Sequence, residues 1–300
     1  MERHMKLMDR KLGIIGLGQM GGGIAANIAR AGYDITGYDL NPDAIARFID
    51  AGGKQAGSGE EIVAQCDIVL TCVEGKDAIT IADTILLPNA RLGQTFIDHS
   101  TLPVPQTRRI GQAYIDKGCR FLDAPISGGV GGAAEGILRI FVGGDKTTAD
   151  EMWPLFEVAG NPEKIVYCGK IGTGQSTKVV QQLTTRFPDV ARLEVLAFGL
   201  RSGVDLDTVI RGLDETPGGG GPYDTLCTAI RDGSYTEAMS GLFSEWEYYL
   251  EEARDSGFRM PMMEAMFEFC KDADTPHLDP LKRPVPSIWQ ELMDYTKEPV

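Results

Sequence analysis

Residues 11–32 read "KLGIIGLGQMGGGIAANIARAG", and this stretch decides the fold. Its first part, "KLGIIGLG", is a short apolar run that ends in glycine, as a buried strand does. Met20, Ile24 and Ile28 then recur near helical spacing, and Gly32 is a typical helix stop. The stretch therefore predicts a strand, a glycine-rich turn and a helix in direct succession.

The same alternation continues through the first half of the chain. "DITGYDL" predicts a second strand, and "NPDAIARFIDAG" a second helix with Asn41 as N-cap and Pro42 in its first turn. Because helix-length segments separate the strands, they predict right-handed crossovers and a largely parallel sheet. Further strands are predicted by "CDIVLTCV", "QTFIDHS", "CRFLDAP" and "LRIFVGG".

Composition excludes several classes of partner. The chain of 300 residues carries a net charge of -14, which argues against nucleic acid and anionic membranes, although a small anionic substrate remains compatible. Its 6 cysteines form no metal-binding pattern, so we expect no metal and reduced thiols in the cytoplasm. The charged opening "MERHMKLMDRK" does not resemble a secretory signal, and no apolar stretch is long enough to span a membrane.

A dinucleotide fingerprint lies within the opening stretch. "GLGQMG" at 16–21 is a G-x-G-x-x-G that follows a predicted strand and opens a predicted helix, and Asp39 ends the next strand. Gly16 would allow the tight turn, Gly18 the approach of the pyrophosphate, and Gly21 close packing of helix and strand. The diphosphate would lie on the helix N-terminus. The predicted cofactor-binding residues of the turn are Gly16, Leu17, Gly18, Gln19, Met20 and Gly21.

Asp39 favours NAD over NADP. A carboxylate at this position accepts hydrogen bonds from the ribose hydroxyls and repels a 2'-phosphate. The residues that follow it are Leu40, Asn41 and Pro42, and the nearest arginine, Arg47, is at least a helical turn away.

The pattern changes near residue 170. "QSTKVVQQLTTRFPDVARLEVLAFGLRSG" predicts one long helix, and shorter helical segments follow it. We therefore predict an α/β fold with an N-terminal Rossmann domain over 1–170 and an all-helical domain over 171–300. The long helix would join the two domains.

Four segments, in this order, resemble the β-hydroxyacid dehydrogenase family, which includes 3-hydroxyisobutyrate dehydrogenase and is related to 6-phosphogluconate dehydrogenase. They are the glycine turn, "DHSTLPVPQT" at 98–107, "DAPISGGVGGAAEG" at 123–136 and "GTGQSTKVVQQL" at 172–183. The resemblance implies hydride transfer between NAD and a small β-hydroxy acid, and a homodimer or homotetramer formed through the helical domain. It implies Lys178 as acid/base, a carboxylate site at Ser127, Gly128 and Gly129, and cofactor contacts at Val73, Glu74 and Thr101.

Two positions depart from the family pattern. Gln182 stands where the family places an asparagine that binds the reacting oxygen, and Ser244 stands where it places a second lysine. We nevertheless predict Gln182 as a catalytic residue and Ser244 as a substrate-binding residue. His99, beside Ser100 and Thr101, is expected to be structural rather than catalytic.

These departures leave two other interpretations of the function open. One is a reductase that acts on a different electrophile, such as an imine, although Lys178 and the Ser-Gly-Gly loop argue against it. The other is a catalytically impaired nucleotide-binding homologue. On sequence grounds alone, Lys178 is also compatible with a solvated helix lysine.

Overall fold

The computed structural model describes residues 7–213, 215, 219–232, 243–270, 277–278 and 284–285. The chain divides into two compact units, Met1–Val180 and Gln181–Val300, and the division falls inside the longest helix. The predicted domain boundary near residue 170 lies at the start of that helix and stays a prediction.

The first unit is built on one twisted sheet with the strand order β3-β2-β1-β4-β5-β6-β8-β7, and β9 pairs with β8. Strands β1 to β6 pair in parallel, as predicted, whereas β8 runs antiparallel to both β6 and β7. The strands are β1 Leu12–Ile15, β2 Ile35–Tyr38, β3 Lys54–Gln55, β4 Ile68–Thr71, β5 Thr95–Asp98, β6 Arg120–Asp123, β7 Ile126–Ser127, β8 Leu138–Gly144 and β9 Gly160–Gly169.

Helices cover both faces of this sheet. Successive strand residues point to opposite faces, so Ile14 packs in one apolar cluster and Ile15 in the other. Burial on both faces explains why the strands are continuous apolar runs. The helices of this unit are α1 Gln19–Arg30, α2 Pro42–Asp50, α3 Gly59–Gln65, α4 Gly75–Ile81, a π-helical turn Ala82–Leu86, α5 Leu87–Asn89, α6 Val104–Asp116, α7 Gly129–Glu135 and α8 Lys146–Ala159.

The second unit is helical in most of its described residues. The long helix α9 Thr173–Arg201 continues through Pro188 as one element. A pair of two-residue antiparallel strands, β10 His277–Leu278 and β11 Pro284–Val285, is a small departure from the predicted all-helical composition. The remaining helices are α10 Leu206–Gly212, α11 Pro222–Asp232, α12 Phe243–Asp255 and α13 Pro261–Cys270.

Candidate active site

The glycine turn connects β1 to α1 with no room for larger side chains at two of its glycines. Gly16 has a φ of 96°, and a Cβ on Gly21 would lie 2.1 Å from the Gly16 carbonyl oxygen. A Cβ on Gly18 would instead meet nothing within 4 Å. Gly18 therefore faces open space at the helix N-terminus, where no side chain caps the helix. An open helix N-terminus of this kind can bind an anion.

Asp39 follows β2 and is bonded directly to the turn. One carboxylate oxygen accepts a hydrogen bond from the Leu17 N–H at 2.6 Å, and the other accepts one from the Asn41 N–H at 2.7 Å. A carboxylate has about four acceptor sites, so about two remain for other donors. Asp39 thus both shapes the turn and keeps acceptor capacity beside it.

The loops after β4 and β5 meet at the carboxyl edge of the sheet. The Val73 N–H donates to the Ser100 hydroxyl at 3.1 Å. Glu74 is the exposed N-cap position of α4. The structure therefore brings Val73 and the Ser100–Thr101 segment together. They follow β4, which pairs with β1 of the glycine turn, and β5, which pairs with β4.

The Ser-Gly-Gly loop joins the short edge strand β7 to α7. Gly128 and Gly129 have φ values of 143° and 66°, which glycine adopts without strain, and both are exposed. Ser127 is half-buried and pairs with Arg139 of β8. The loop presents bare backbone and one hydroxyl, as an anion-binding loop does.

Close packing ties α7 to α1, the helix that follows the glycine turn. The Asn27 side-chain amide donates to the Ala133 carbonyl at 2.9 Å. A Cβ on Gly23 would lie 2.7 Å from that same carbonyl oxygen. Gly23, the third glycine of "GGG", therefore lets α1 approach α7 closely. The sequence did not reveal this role.

Lys178 is not a solvated lysine. Its residue is only 5% exposed, and its ammonium donates a hydrogen bond to the Thr101 hydroxyl. Lys178 lies in the second turn of α9, whereas Thr101 follows β5. Two segments that the sequence singled out separately thus meet through these side chains.

Two buried carboxylates that the sequence pattern did not single out lie at the ends of neighbouring strands. Asp98 and Asp123 end β5 and β6 and are paired in register. Burial raises the pKa of each carboxyl to about 6, against the opposing effect of backbone N–H groups that donate to them. The signal for them was present, since each is an acidic residue that ends an apolar strand.

His99 has a structural environment. It is 3% exposed, its Nδ1 lies 2.7 Å from the Ala124 carbonyl oxygen, and its ring meets Phe156 edge-on. Burial lowers the pKa of the imidazole to about 4, so His99 is neutral at physiological pH.

Gln182 is engaged within the second unit. Its amide nitrogen donates to the Glu245 carboxylate at 3.2 Å, and its amide oxygen accepts a hydrogen bond from Tyr249. The Tyr249 hydroxyl oxygen also lies 2.9 Å from a carboxylate oxygen of Glu245. These contacts fix the orientation of the glutamine. The side chain of Ser244 lies outside the described residues.

The described part of the chain contains no cluster of three or more histidine, cysteine or acidic residues that could hold a metal ion. No helix in the same part is both long and apolar enough to cross a bilayer.

Comparison with known proteins gives a consistent family. Residues 11–169 match the model of the NAD binding domain of 6-phosphogluconate dehydrogenase. The chain is 31% identical to L-threonate dehydrogenase of Cupriavidus necator over 276 residues, which are 89% of this chain and 92% of that protein. It is 32% identical to mitochondrial 3-hydroxyisobutyrate dehydrogenase of Mus musculus over 210 residues, 69% of this chain and 62% of that protein.

A solved structure supports the same fold. The structure of Mycobacterium tuberculosis 3-hydroxyisobutyrate dehydrogenase with L-serine superposes with a TM-score of 0.78 at 24% identity. The match covers 96% of this chain and 99% of that one.

Proposed function

Because this chain belongs to the β-hydroxyacid dehydrogenase family, we propose that it interconverts a small β-hydroxy acid, similar to 3-hydroxyisobutyrate, and its semialdehyde or keto form. NAD is the hydride acceptor and Lys178 the acid/base. The observation that carries the proposal is the buried contact between Lys178 and Thr101. A lysine kept from water next to a hydroxyl is placed for proton transfer rather than for solubility.

The chain's own residues fit the cofactor. The open space at Gly18 and the N-terminus of α1 would receive the diphosphate, and Gln19 and Met20 would contribute backbone N–H groups. The acceptor capacity left on Asp39 receives the ribose hydroxyls and disfavours a 2'-phosphate, which supports NAD over NADP. Bound NAD supplies the chemistry of hydride acceptance at its nicotinamide ring.

The Ser-Gly-Gly loop is the proposed carboxylate site. The exposed backbone of Gly128 and Gly129 and the hydroxyl of Ser127 offer neutral donors to an anion. Neutral donors bind a carboxylate with no fixed positive charge.

Lys178 performs the proton half of the reaction. Oxidation of the alcohol releases a proton from oxygen, and the unprotonated Lys178 amine accepts it; in the reverse direction the ammonium donates it. Thr101 holds the Nζ atom in place. Gln182, with its amide oriented by Tyr249 and Glu245, is proposed to bind the reacting oxygen through its remaining N–H.

The proposal extends to assembly and location. We propose a homodimer or homotetramer formed through the helical unit, as the family resemblance implies. A cytoplasmic location is supported by the five described cysteines, Cys66, Cys72, Cys119, Cys168 and Cys227, which are all free thiols.

A substrate panel tests the proposal. The protein is incubated with NAD and a series that contains 3-hydroxyisobutyrate, L-threonate, L-serine and matched 2-hydroxy acids, and NADH is followed at its absorbance maximum. Expected is turnover with at least one 3-hydroxy acid and none with its methyl ester, which lacks the carboxylate. Turnover with a cyclic imine and NADPH, and with none of the acids, would instead establish the reductase alternative.

A further inference from the structure

We propose that Asp123 is a positioning residue of this site: its buried carboxylate and the Gln175 side-chain amide fix the first turn of α9, so that Lys178 meets Thr101. This inference rests on the proposed role of Lys178. Neither Asp123 nor Gln175 is placed by it in contact with substrate or cofactor.

Asp123 caps a helix on which it does not itself lie. One carboxylate oxygen accepts the Gly172 N–H at 2.8 Å, and the other accepts the Gln175 N–H at 3.1 Å. These N–H groups belong to the start of α9, where they have no partner within the helix. Gly172 has no side chain that could serve as an N-cap, and Asp123 supplies the acceptor from β6 instead.

The structure around the carboxylate leaves space for this group and little more. A Cβ on Gly143 of β8 would lie 2.5 Å from one oxygen of Asp123, and a Cβ on Gly174 of α9 would lie 2.7 Å from the other. A strand glycine and a helix glycine thus form the two walls of a slot. Asp123 is fully buried in it, at 0% exposure.

Gln175 makes the second attachment. The residue is only 2% exposed, and its side-chain amide donates a hydrogen bond to the Ser100 carbonyl at 2.8 Å. The Ser100 N–H in turn donates to Asp98 at 2.9 Å. The segment that carries Thr101 is therefore fixed from both sides, by Asp98 within its own strand end and by Gln175 from the helix.

Lys178 is one helical turn beyond Gln175, on the same side of α9. Asp123 holds the first turn of α9 to β6, and Gln175 holds it to the Ser100–Thr101 segment. The Lys178 ammonium is therefore already positioned to contact Thr101. A misplacement of about 1 Å at a reacting group can reduce turnover about 100-fold. The contacts of Asp123 with Gly172 and Gln175, and of Gln175 with Ser100, are together called the clamp. We expect the clamp to affect catalysis as well as stability.

The test compares Asp123→Asn with Asp145→Ala. The asparagine has the shape of Asp123 but offers one acceptor oxygen to two backbone donors. Asp145 is the N-cap of α8 in the same unit and accepts a hydrogen bond from the Thr148 N–H at 2.8 Å, so its replacement removes the cap of a different helix. Both variants are expected to lower the melting temperature.

Only Asp123→Asn is expected to change the chemistry. Its kcat falls at least about tenfold and the pH profile of kcat changes, while KM for NAD stays within about twofold. Asp145→Ala keeps the wild-type kcat and pH profile. Equal kcat and pH profiles in the two variants, at matched loss of melting temperature, would overturn the proposal.

Two further measurements keep the proposal testable. Gln175→Met keeps both contacts of Asp123 and removes only the bond to Ser100, so it serves if Asp123→Asn does not fold; unchanged kcat in it would count against the clamp. If the wild type oxidises no hydroxy acid, labelling of Lys178 by an amine-reactive reagent reports its position without turnover. Labelling should accelerate about tenfold in Asp123→Asn but not in Asp145→Ala, and equal rates would refute the clamp.

Discussion

Replacing Asp39 by asparagine is expected to remove most of the discrimination between NAD and NADP. The carboxylate accepts two backbone N–H groups, from Leu17 at 2.6 Å and from Asn41 at 2.7 Å, which hold its negative charge at the edge of the glycine turn. The 2'-phosphate of NADP carries a charge of about -2 and would have to lie next to it.

The size of the effect follows from this placement. Even one of the two phosphate charges, about 4 Å from the carboxylate, is repelled by about 4 kcal/mol at an effective dielectric constant of about 20, so the values below are lower bounds. Asp39 is only half-buried, so solvent screening reduces this by about half. About 2 kcal/mol remains, which corresponds to a preference for NADH over NADPH of about 30-fold.

Fluorescence titration of NADH and NADPH measures this ratio. We expect at least about 30-fold in the wild type and less than about fivefold in Asp39→Asn, with NADH binding weakened by the loss of a ribose acceptor. Asp43→Asn is the matched control, since it removes the same charge from an exposed position in the first turn of α2 and should keep the wild-type ratio. Tighter binding of NADPH than NADH by the wild type, or an unchanged ratio in Asp39→Asn, would refute the reasoning.

Four further substitutions separate binding, positioning and stability. Gly18→Ala should weaken NAD binding and keep wild-type stability, because its Cβ would meet no protein atom. Gly21→Ala should unfold at a lower urea concentration, because its Cβ would lie 2.1 Å from a carbonyl oxygen. Unchanged NAD binding in Gly18→Ala, or wild-type stability in Gly21→Ala, would contradict the roles assigned to these glycines. Tyr249→Phe releases the Gln182 amide, so kcat should fall severalfold while NAD affinity is retained, and an unchanged kcat would remove Gln182 from the site. The raised pKa of Asp98, about 6 in the folded state, means that the folded protein binds more protons than the unfolded one between about pH 4 and pH 6, so stability falls as pH rises through this window. In urea unfolding at pH 4, 5 and 6, the free energy of unfolding of Asp98→Asn should fall less steeply with pH than that of the wild type. A difference in unfolding free energy between the two proteins that is the same at all three pH values would disprove this role of Asp98.

Much of the first unit could be predicted because its strands are buried on both faces. Continuous apolar runs between glycine and helix signals identify β1, β2, β4, β5, β6 and β8. Strand β9 escaped prediction because it lies at an edge of the sheet. Its sequence "GNPEKIVYCG" contains proline and charged residues, and most of it is partly or fully exposed.

The residues of the candidate site could be predicted where a local motif carries them. The glycine turn, Asp39 and the Ser-Gly-Gly loop are of this kind. Asp123 could not be assigned its role, because its contacts with Gly172 and Gln175 join residues that are 49 and 52 positions away. Such contacts depend on which strand end lies under which helix, and sequence spacing does not fix that.

The glutamine at 182 illustrates the same limit. The family resemblance implies an asparagine at this position, and glutamine is longer by one methylene. In the structure the Gln182 amide contacts Glu245 and Tyr249, which are 63 and 67 residues away. A longer side chain is therefore accommodated by partners that a local motif cannot specify.

Lys178→Ala tests the central claim most directly, with the exposed Lys170→Ala as its matched control. Turnover of the best hydroxy acid of the panel and the dissociation constant of NAD are measured for both variants. Lys178→Ala is expected to lose about 1000-fold in kcat, as an enzyme without its acid/base does, and to bind NAD within about threefold of wild type. Lys170→Ala should match the wild type in both. A kcat for Lys178→Ala within tenfold of wild type, on the scale of about 100- to 10,000-fold for general acid–base catalysis, would contradict the account.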